Sequence, residues 1–450
     1  MSAEPTDTRT TNLTLDLCLK IGELLLSSGA GAADVTATMQ SVALHLGIRH
    51  PEIDVTFTSL AMSYQPDPGD PPITQMRQVK HREIDYDDLT RVDRLVTDVL
   101  RDRVDLMEAR SRLATIVSSG HQLPRWAVTL SWGLMCGGVT LQLGGSLLVV
   151  GLALVAAVLI HRVLVQMARR RLPAFYQQVA GGLVAASLAV GIAAIEPDAD
   201  VSLMVTANII MLLAGIGFMA AIQDALTGFY VTGGARVLEA LLATAGIIAG
   251  VSGGLTLAGI VGVQISPIDP GRAGWEGVGT LALGSAVCAA AFAVASYAPW
   301  RSVVPVAVVA SAAILLYSAV REASDSRVWA AALAAFGIGL VAYGVAGRVR
   351  VPPLVIVVPA IVPMLPGLTI YRGLSLLAEG GAMTSIGLLA LIQAASIAVA
   401  LASGVILGEY VAQPLRREAS RLESRLSGPR LVGPLRARTP RRRSRTRTRS

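Results

Sequence analysis

The chain has 450 residues, of which 53% are hydrophobic and only 15% charged, and it carries a formal net charge of +7. Cys18, Cys136 and Cys288 are too few and too scattered for a disulfide framework, and no zinc-type spacing occurs. A disulfide-built or zinc-built fold is therefore excluded, and the hydropathy places most of the chain in a bilayer.

The sequence before Trp126 is mixed and polar, and we read residues 1–124 as a small soluble domain. The N-terminus lacks a basic segment followed by an apolar core, so no signal peptide is expected. Residues 12–47 read as two helices around a small-residue turn, Ser27-Ser-Gly29-Ala-Gly31-Ala-Ala-Asp34. Asp34 is the expected N-cap of the helix that reaches His45. Alternation over Asp54–Ser59 predicts a strand, Gln75–Val79 a second, and helices follow over 85–101 and 105–118. An α/β module of this size folds on its own. It holds no nucleophile elbow, phosphate loop or metal cluster. Ser27, Ser28, His45, His50, Asp54 and Asp67 are hydrolase-type residues that no spacing selects, so a regulatory or assembly role is the expectation.

From Trp126 onward, about ten apolar segments can be marked, most of them near spanning length: 126–143, 146–161, 174–195, 201–222, 237–264, 277–296, 303–319, 328–347, 351–371 and 383–411. Arginines fix their direction. Arg162, Arg169, Arg170 and Arg171 follow the second segment and mark a cytoplasmic connection. The next connection, Glu196-Pro-Asp198-Ala-Asp200, is acidic and faces outward. Alternation then puts Arg236, Arg301, Arg348, Arg350, Arg416 and Arg417 inside, and Asp269, Glu276, Glu322, Asp325 and Glu379 outside. Both termini are cytoplasmic on this reading.

An even division gives five segments in 125–264 and five in 275–411, running in opposite directions. That is the inverted-repeat plan of many secondary transporters. At the offset that lays Gly215 on Gly367, Gly228 falls on Gly380, Thr232 on Thr384 and Cys136 on Cys288. The fold class expected is thus a mostly α polytopic membrane protein: about ten transmembrane helices in two inverted five-helix repeats, preceded by the cytoplasmic α/β domain.

The ninth segment carries Pro359-Ala-Ile-Val-Pro363-Met-Leu-Pro366-Gly367. Each proline removes a backbone donor and clashes with the preceding turn. In lipid such a break is tolerated only against protein or a water-filled cavity. Its softer counterpart is Ala214-Gly215-Ile-Gly217 in the fourth segment, and paired interruptions point to a transport site. Helix packing by small residues is the competing use of these glycines. Asn208, Thr369 and Tyr371 flank the breaks as hydrogen-bonding candidates. After the fourth segment come Asp224, Arg236 and Glu239, read either as proton-carrying groups with an arginine partner or as a salt bridge holding a helix hairpin.

The tail, 412–450, is rich in arginine from Arg436 to Arg449. We expect it to be a disordered cytoplasmic segment lying against anionic lipid, with nucleic acid as the minor alternative.

Ser28-Gly-Ala-Gly-Ala-Ala-Asp34-Val, His45-Leu-Gly-Ile48, Asp224-Ala-Leu-Thr-Gly228-Phe-Tyr-Val-Thr-Gly-Gly-Ala-Arg236 and Pro363-Met-Leu-Pro366-Gly367 together resemble the threonine/serine exporter family of bacterial membrane proteins. The resemblance covers roughly 12–411 and leaves out the arginine tail. It departs at Ala214-Gly215, where a Pro-Gly like that of the second half is absent. It implies a cytoplasmic N-terminal domain, ten spans in the bacterial cytoplasmic membrane, and export of L-threonine and L-serine driven by the proton motive force, with no cofactor. On this reading Gly215, Gly217, Pro363, Pro366, Gly367, Asn208, Thr369 and Tyr371 form the solute site, and Asp224, Glu239 and Arg236 couple the proton. No metal is expected, and a homo-oligomer is compatible with this reading. The rival readings are a channel-like or structural membrane protein and a membrane-anchored hydrolase acting through the N-terminal domain.

Overall fold

The computed structural model describes residues 8–417 apart from 81, 122, 196–200, 213–214, 262–276 and 380. The acidic connection at 196–200, Asp269, Glu276, Ala214 and the arginine tail lie outside the described residues.

The N-terminal part opens with α1 (Thr8–Ser27) and α2 (Ala32–His45), joined by a turn in which Gly29 takes φ +98°. That left-handed conformation suits glycine because it has no Cβ to clash. Three strands follow: β1 (Glu52–Val55), β2 (Ser59–Tyr64) and β3 (Ile73–Gln78), an antiparallel sheet in the order β1-β2-β3. The expected strand over 54–59 is corrected by this, since it straddles the turn between β1 and β2. β2 itself escaped notice because Ala61 and Ser63 alternate only weakly against buried Leu60 and Met62. Helices α3 (Tyr86–Leu100) and α4 (Leu106–Ser118) complete this part. Their N-termini are capped by Asp85, which accepts from the Asp87 and Asp88 amides, and by Asp105, which accepts from Glu108.

Asp16 ties these elements together. It accepts from Arg77 at 2.8 Å and Arg110 at 2.6 Å, and pairs with Lys20 at 3.0 Å. Burial alone would raise its pKa, but the hydrogen bonds from Arg77, Lys20 and Arg110 outweigh it and bring it down to about 2. The stability Asp16 contributes is therefore present above its ordinary value of 3.8 and is lost as pH falls toward 2. Asp16→Asn is expected to flatten the acid limb of a pH–stability curve in that window. An unchanged acid limb would refute the assignment.

The rest is a helical bundle. Its elements are α5 (Arg125–Gln142), α6 (Leu147–Arg169), α7 (Ala174–Ile195), α8 (Val201–Leu212), α9 (Gly215–Leu226), α10 (Tyr230–Val261), α11 (Val278–Ala295), α12 (Trp300–Ser324), α13 (Arg327–Val349), α14 (Leu354–Ile361), a 3-10 turn (Val362–Met364), α15 (Gly367–Glu379) and α16 (Met383–Arg417). Among the described residues, seven helices are long and apolar enough to cross a membrane, and up to nine spans result if each of two bent pairs, α8–α9 and α14–α15, is one span. The chain is a polytopic membrane protein. α5 falls outside that count, its 18 residues beginning with Arg125 and ending with Gln142. Trp300, Val304 and Val308 on α12, and Leu388, Leu389 and Ile392 on α16, are exposed. Apolar surface on this scale is what lipid covers.

Several boundaries differ from expectation. α6 runs on to Arg169, so Arg162 is helical. α10 begins at Tyr230 rather than near 237, which places Arg236 within its first turns rather than in a connection. Arg372 and Glu379 belong to α15, not to a loop beyond it.

The helices pair in a pattern that recurs. α5 packs on α6 and α11 on α12; α7 packs on α10 and α13 on α16; α9 packs on α10 and α15 on α16. Glycines set the closest approaches. A Cβ on Gly250 of α10 would collide with the Val179 carbonyl of α7, and one on Gly404 of α16 with the Ala332 carbonyl of α13. α5 and α11 meet backbone to backbone. A Cβ on Gly138 would lie 2.6 Å from the Cys288 nitrogen, and one on Gly284 2.6 Å from the Gly138 carbonyl oxygen. The residue order along this contact shows α5 and α11 running in opposite directions.

Candidate functional site

The proline-rich segment breaks where Pro363 and Pro366 stand, and not at Pro359. Pro359 sits buried inside α14, whereas Pro363 lies in the 3-10 turn and Leu365 is extended, with φ −62° and ψ 139°. α14 and α15 are inclined by 48° across this break. The Ile370 amide bonds back to the Pro366 carbonyl at 3.0 Å, so Gly367, Leu368 and Thr369 form the first turn of α15. The amides of such a turn lack helical partners and carry partial positive charge.

The other bent pair inclines by 43°, and its second half begins at Gly215. The two interruptions touch. A Cβ on Gly215 would lie 3.3 Å from the Leu365 Cβ and 3.8 Å from the Gly367 Cα. Two glycines aligned by the sequence offset are thus neighbours in space.

The break is braced from α5. Gln142 Nε2 donates to the Pro363 carbonyl at 3.1 Å, across 221 residues of sequence. That carbonyl is one the prolines leave without a helical donor. Gln142→Leu leaves it unsatisfied at a cost of about 1–3 kcal/mol. A lowered thermal midpoint and weakened transport are expected, to be read on the purified protein and in proteoliposomes. A wild-type midpoint would refute the bracing role.

A cleft runs from this point along α9 to the N-terminal part. Ile216, Met219, Ala220, Gln223, Asp224 and Thr227 form one wall, and Leu354, Val358, Ile361 and Leu365 of α14 and the break form another. Its far end is closed by Gly29 and Gly31 of the α1–α2 turn and Ala33 and Asp34 of α2, together with Ile84, Tyr86 and Arg236. Apolar walls with a cluster of polar groups at one end suit a small solute.

At that end, Asp224 and Arg236 form a buried ion pair, Oδ2 to Nη1, at 3.2 Å. Asp224 Oδ1 also accepts from the Ala32 amide at 3.0 Å, and Arg236 Nη2 donates to the Ala30 carbonyl at 3.5 Å. α2 therefore has its N-terminus capped by a carboxylate from α9. This corrects the expectation for Asp34: Gly31 is the N-cap residue, without a side-chain cap of its own, and Asp34 lies within the first turn. Thr232 donates to the Val55 carbonyl at 3.5 Å, a further contact between the two parts. Arg82 stacks over Phe57 at 4.4 Å. Burial, and then the like charge of Arg236, bring its pKa down to about 10.

The N-terminal part also reaches the second half. The Tyr86 amide donates to the Ser296 carbonyl at 2.9 Å, His121 stacks on Tyr297 at 3.9 Å, and Arg94 and Arg301 both donate to the Arg350 carbonyl.

The remaining candidates are dispersed. Asn208 is fully buried in α8, donating to the Met204 carbonyl at 2.9 Å while its Oδ1 has no hydrogen-bond partner among the described residues. Tyr371 packs with Met204, Val205 and Ile209 beyond the break. Thr369 and Gly217 are half-buried. None of these four lines the cleft. Glu239 is exposed on α10. Sequence reasoning passed over Gln142 and also Glu409, a carboxylate residue buried on α16. A charge inside so long an apolar helix is the signal that marks it. Among the described residues no group of three or more metal-ligating side chains occurs.

The family described as "Putative threonine/serine exporter" matches residues 16–258, and one described as "Threonine/Serine exporter, ThrE" matches 281–411. The chain is 35% identical over 429 residues to a "Probable threonine/serine exporter" of Mycobacterium tuberculosis, covering 93% of this chain and 80% of that protein. It is 32% identical over 418 residues to the "Threonine/serine exporter" of Corynebacterium glutamicum, covering 90% and 83%. No solved structure matches it.

Proposed function

The chain belongs to the threonine/serine exporter family, and we propose on that premise that it is a secondary active exporter of small neutral amino acids, L-threonine and L-serine, driven by the proton motive force. The observation that carries the reading is the meeting of the two interrupted helices, Gly215 against Leu365 and Gly367, at the inner end of the cleft. An interruption of each half at one place is the arrangement in which freed amides and carbonyls receive a solute. The first turn of α15 receives the carboxylate, and Thr369, Tyr371 and Asn208 serve the far side of the break when the solute passes it.

The fold we assign is two inverted repeats of five spans, 125–264 and 275–411, with the N-terminal α/β domain of 1–124 on the cytoplasmic side. Support comes from the helix pairings that recur between the halves and from the opposed directions of α5 and α11. The orientation is supported by Arg236, Arg301 and Arg350 gathering beside the N-terminal part. Asp224, paired with Arg236, is assigned the coupling proton, since neutralising it loosens both Arg236 and the α2 cap. Glu239, exposed on α10, is the alternative carrier.

Counterflow in proteoliposomes tests this with a panel of labelled amino acids, with and without a pH gradient. Saturable exchange of L-threonine and L-serine, accelerated by the gradient, is expected. Flux that does not saturate would replace the exporter by a channel, and indifference to the gradient would remove the coupling.

A further inference from the structure

The ion pair at the closed end of the cleft presents both of the charges that a zwitterion carries. We propose that Asp224, Arg236 and the N-terminus of α2 form a receiving site for an α-amino acid zwitterion, separate from the meeting point of the two breaks. The inference rests on the exporter reading and adds a second, outer station to it.

The groups are already arranged as the complement of a zwitterion. Asp224 places one oxygen on the Ala32 amide and the other 3.2 Å from the Arg236 guanidinium. It occupies the place a solute carboxylate would take, since a helix N-terminus and an arginine both favour an anion. An entering amino acid exchanges with it. The solute carboxylate moves onto Arg236 and the Ala32 amide, and the solute ammonium takes the carboxylate of Asp224. Two anions then face two cations, so the insertion leaves no unpaired charge in a buried place.

Two further observations point to a ligand. Arg236 is only 4% exposed and lines the cleft, yet its Nε has no hydrogen-bond partner among the described residues. A buried N–H of a guanidinium left unpaired is costly, and a carboxylate arriving in the fork satisfies it. The walls beside the pair also suit a short side chain. Ala220, Met219 and Val358 are apolar, while Gln223 and Thr227 offer groups for a hydroxyl.

Exchange at this point also loosens the N-terminal part, because the Ala32 amide and Ala30 carbonyl are two of its bonds to the bundle. Arrival of the solute and release of the α1–α2 turn become one event.

The test uses the full chain in proteoliposomes with a thiol probe in the cleft. Cys18, Cys136 and Cys288 are buried, so Ala220→Cys presents the accessible thiol. A maleimide reagent is expected to label it several-fold more slowly with L-threonine or L-serine present. The hydroxy acid lacking the ammonium and the amino alcohol lacking the carboxylate should give no protection. Adding Arg236→Gln together with Asp224→Asn, so that no charge is left buried alone, should abolish the protection by L-threonine. Ile406→Cys, on α16 and also lining the cleft, repeats the measurement if Ala220→Cys folds poorly. Unprotected labelling in a protein that still performs counterflow would overturn the site and leave the exporter reading intact. Protection without counterflow would keep the site and sink that reading.

Discussion

Counterflow of labelled L-threonine is expected to fall to the level of protein-free vesicles when Pro366→Ala and Gly367→Leu are combined. The reason is local. Leu365 is extended and Pro366 begins the new helix, so the 48° bend is held by residues that cannot continue α14. Alanine and leucine both favour continuous helix, and a straightened segment returns the freed backbone groups to one another. The same result is expected for Gly215→Leu from the other side. Its Cβ would already sit 3.3 Å from the Leu365 Cβ, and the rest of the side chain has to displace the break, an overpacking of about 1–3 kcal/mol. Pro359→Ala is the control. Pro359 lies inside α14 away from the bend, and its replacement should leave transport near wild type. Each variant must first be recovered from the membrane at normal yield. Saturable counterflow at the wild-type rate in the Pro366→Ala/Gly367→Leu protein would end the case for the break as the solute site.

The largest effect on stability is expected at Arg236. Arg236→Gln leaves the Asp224 carboxylate buried without its cation, and breaking one side of such a pair costs about 3–5 kcal/mol. A drop in thermal midpoint and faster proteolysis within residues 8–118 would report it, because Arg236 also holds the Ala30 carbonyl. Asp224→Asn in the same protein removes the stranded charge and should recover most of the loss. The two substitutions are in contact and therefore not additive. If the double variant were as unstable as the single one, the pair would not be the source of the cost.

Much of this architecture is legible in the residues, and what is not has a common cause. The apolar segments follow from hydropathy, and α3 and α4 fall within a residue of their expected limits because Asp85 and Asp105 announce them. The break at Pro363, Pro366 and Gly367 is legible because proline chemistry is local. Pro359 misleads for the same reason: a proline alone does not say whether its surroundings tolerate the lost donor. The groups that organise the site are the illegible ones. Asp224 caps a helix that starts 192 residues earlier, and Gln142 supports a carbonyl 221 residues later. Neither leaves a pattern in its own neighbourhood. Asp34 looked like the cap because it stands near the helix start, while the true acceptor comes from another element.

The contact between α5 and α11 has a mechanical meaning. Where Gly138 and Gly284 bring two backbones together, no side chain remains to compress and none to slide past. Two rods in such contact can roll but cannot be driven closer, so the line between them acts as a fulcrum. A roll about a fulcrum within a bundle widens the gap on one face of the membrane as it narrows the gap on the other. Glycines set the contacts of α7 with α10 and of α13 with α16 in the same way. Any relative motion of α5 and α11 has to turn about this line, because the glycines leave no slack along it.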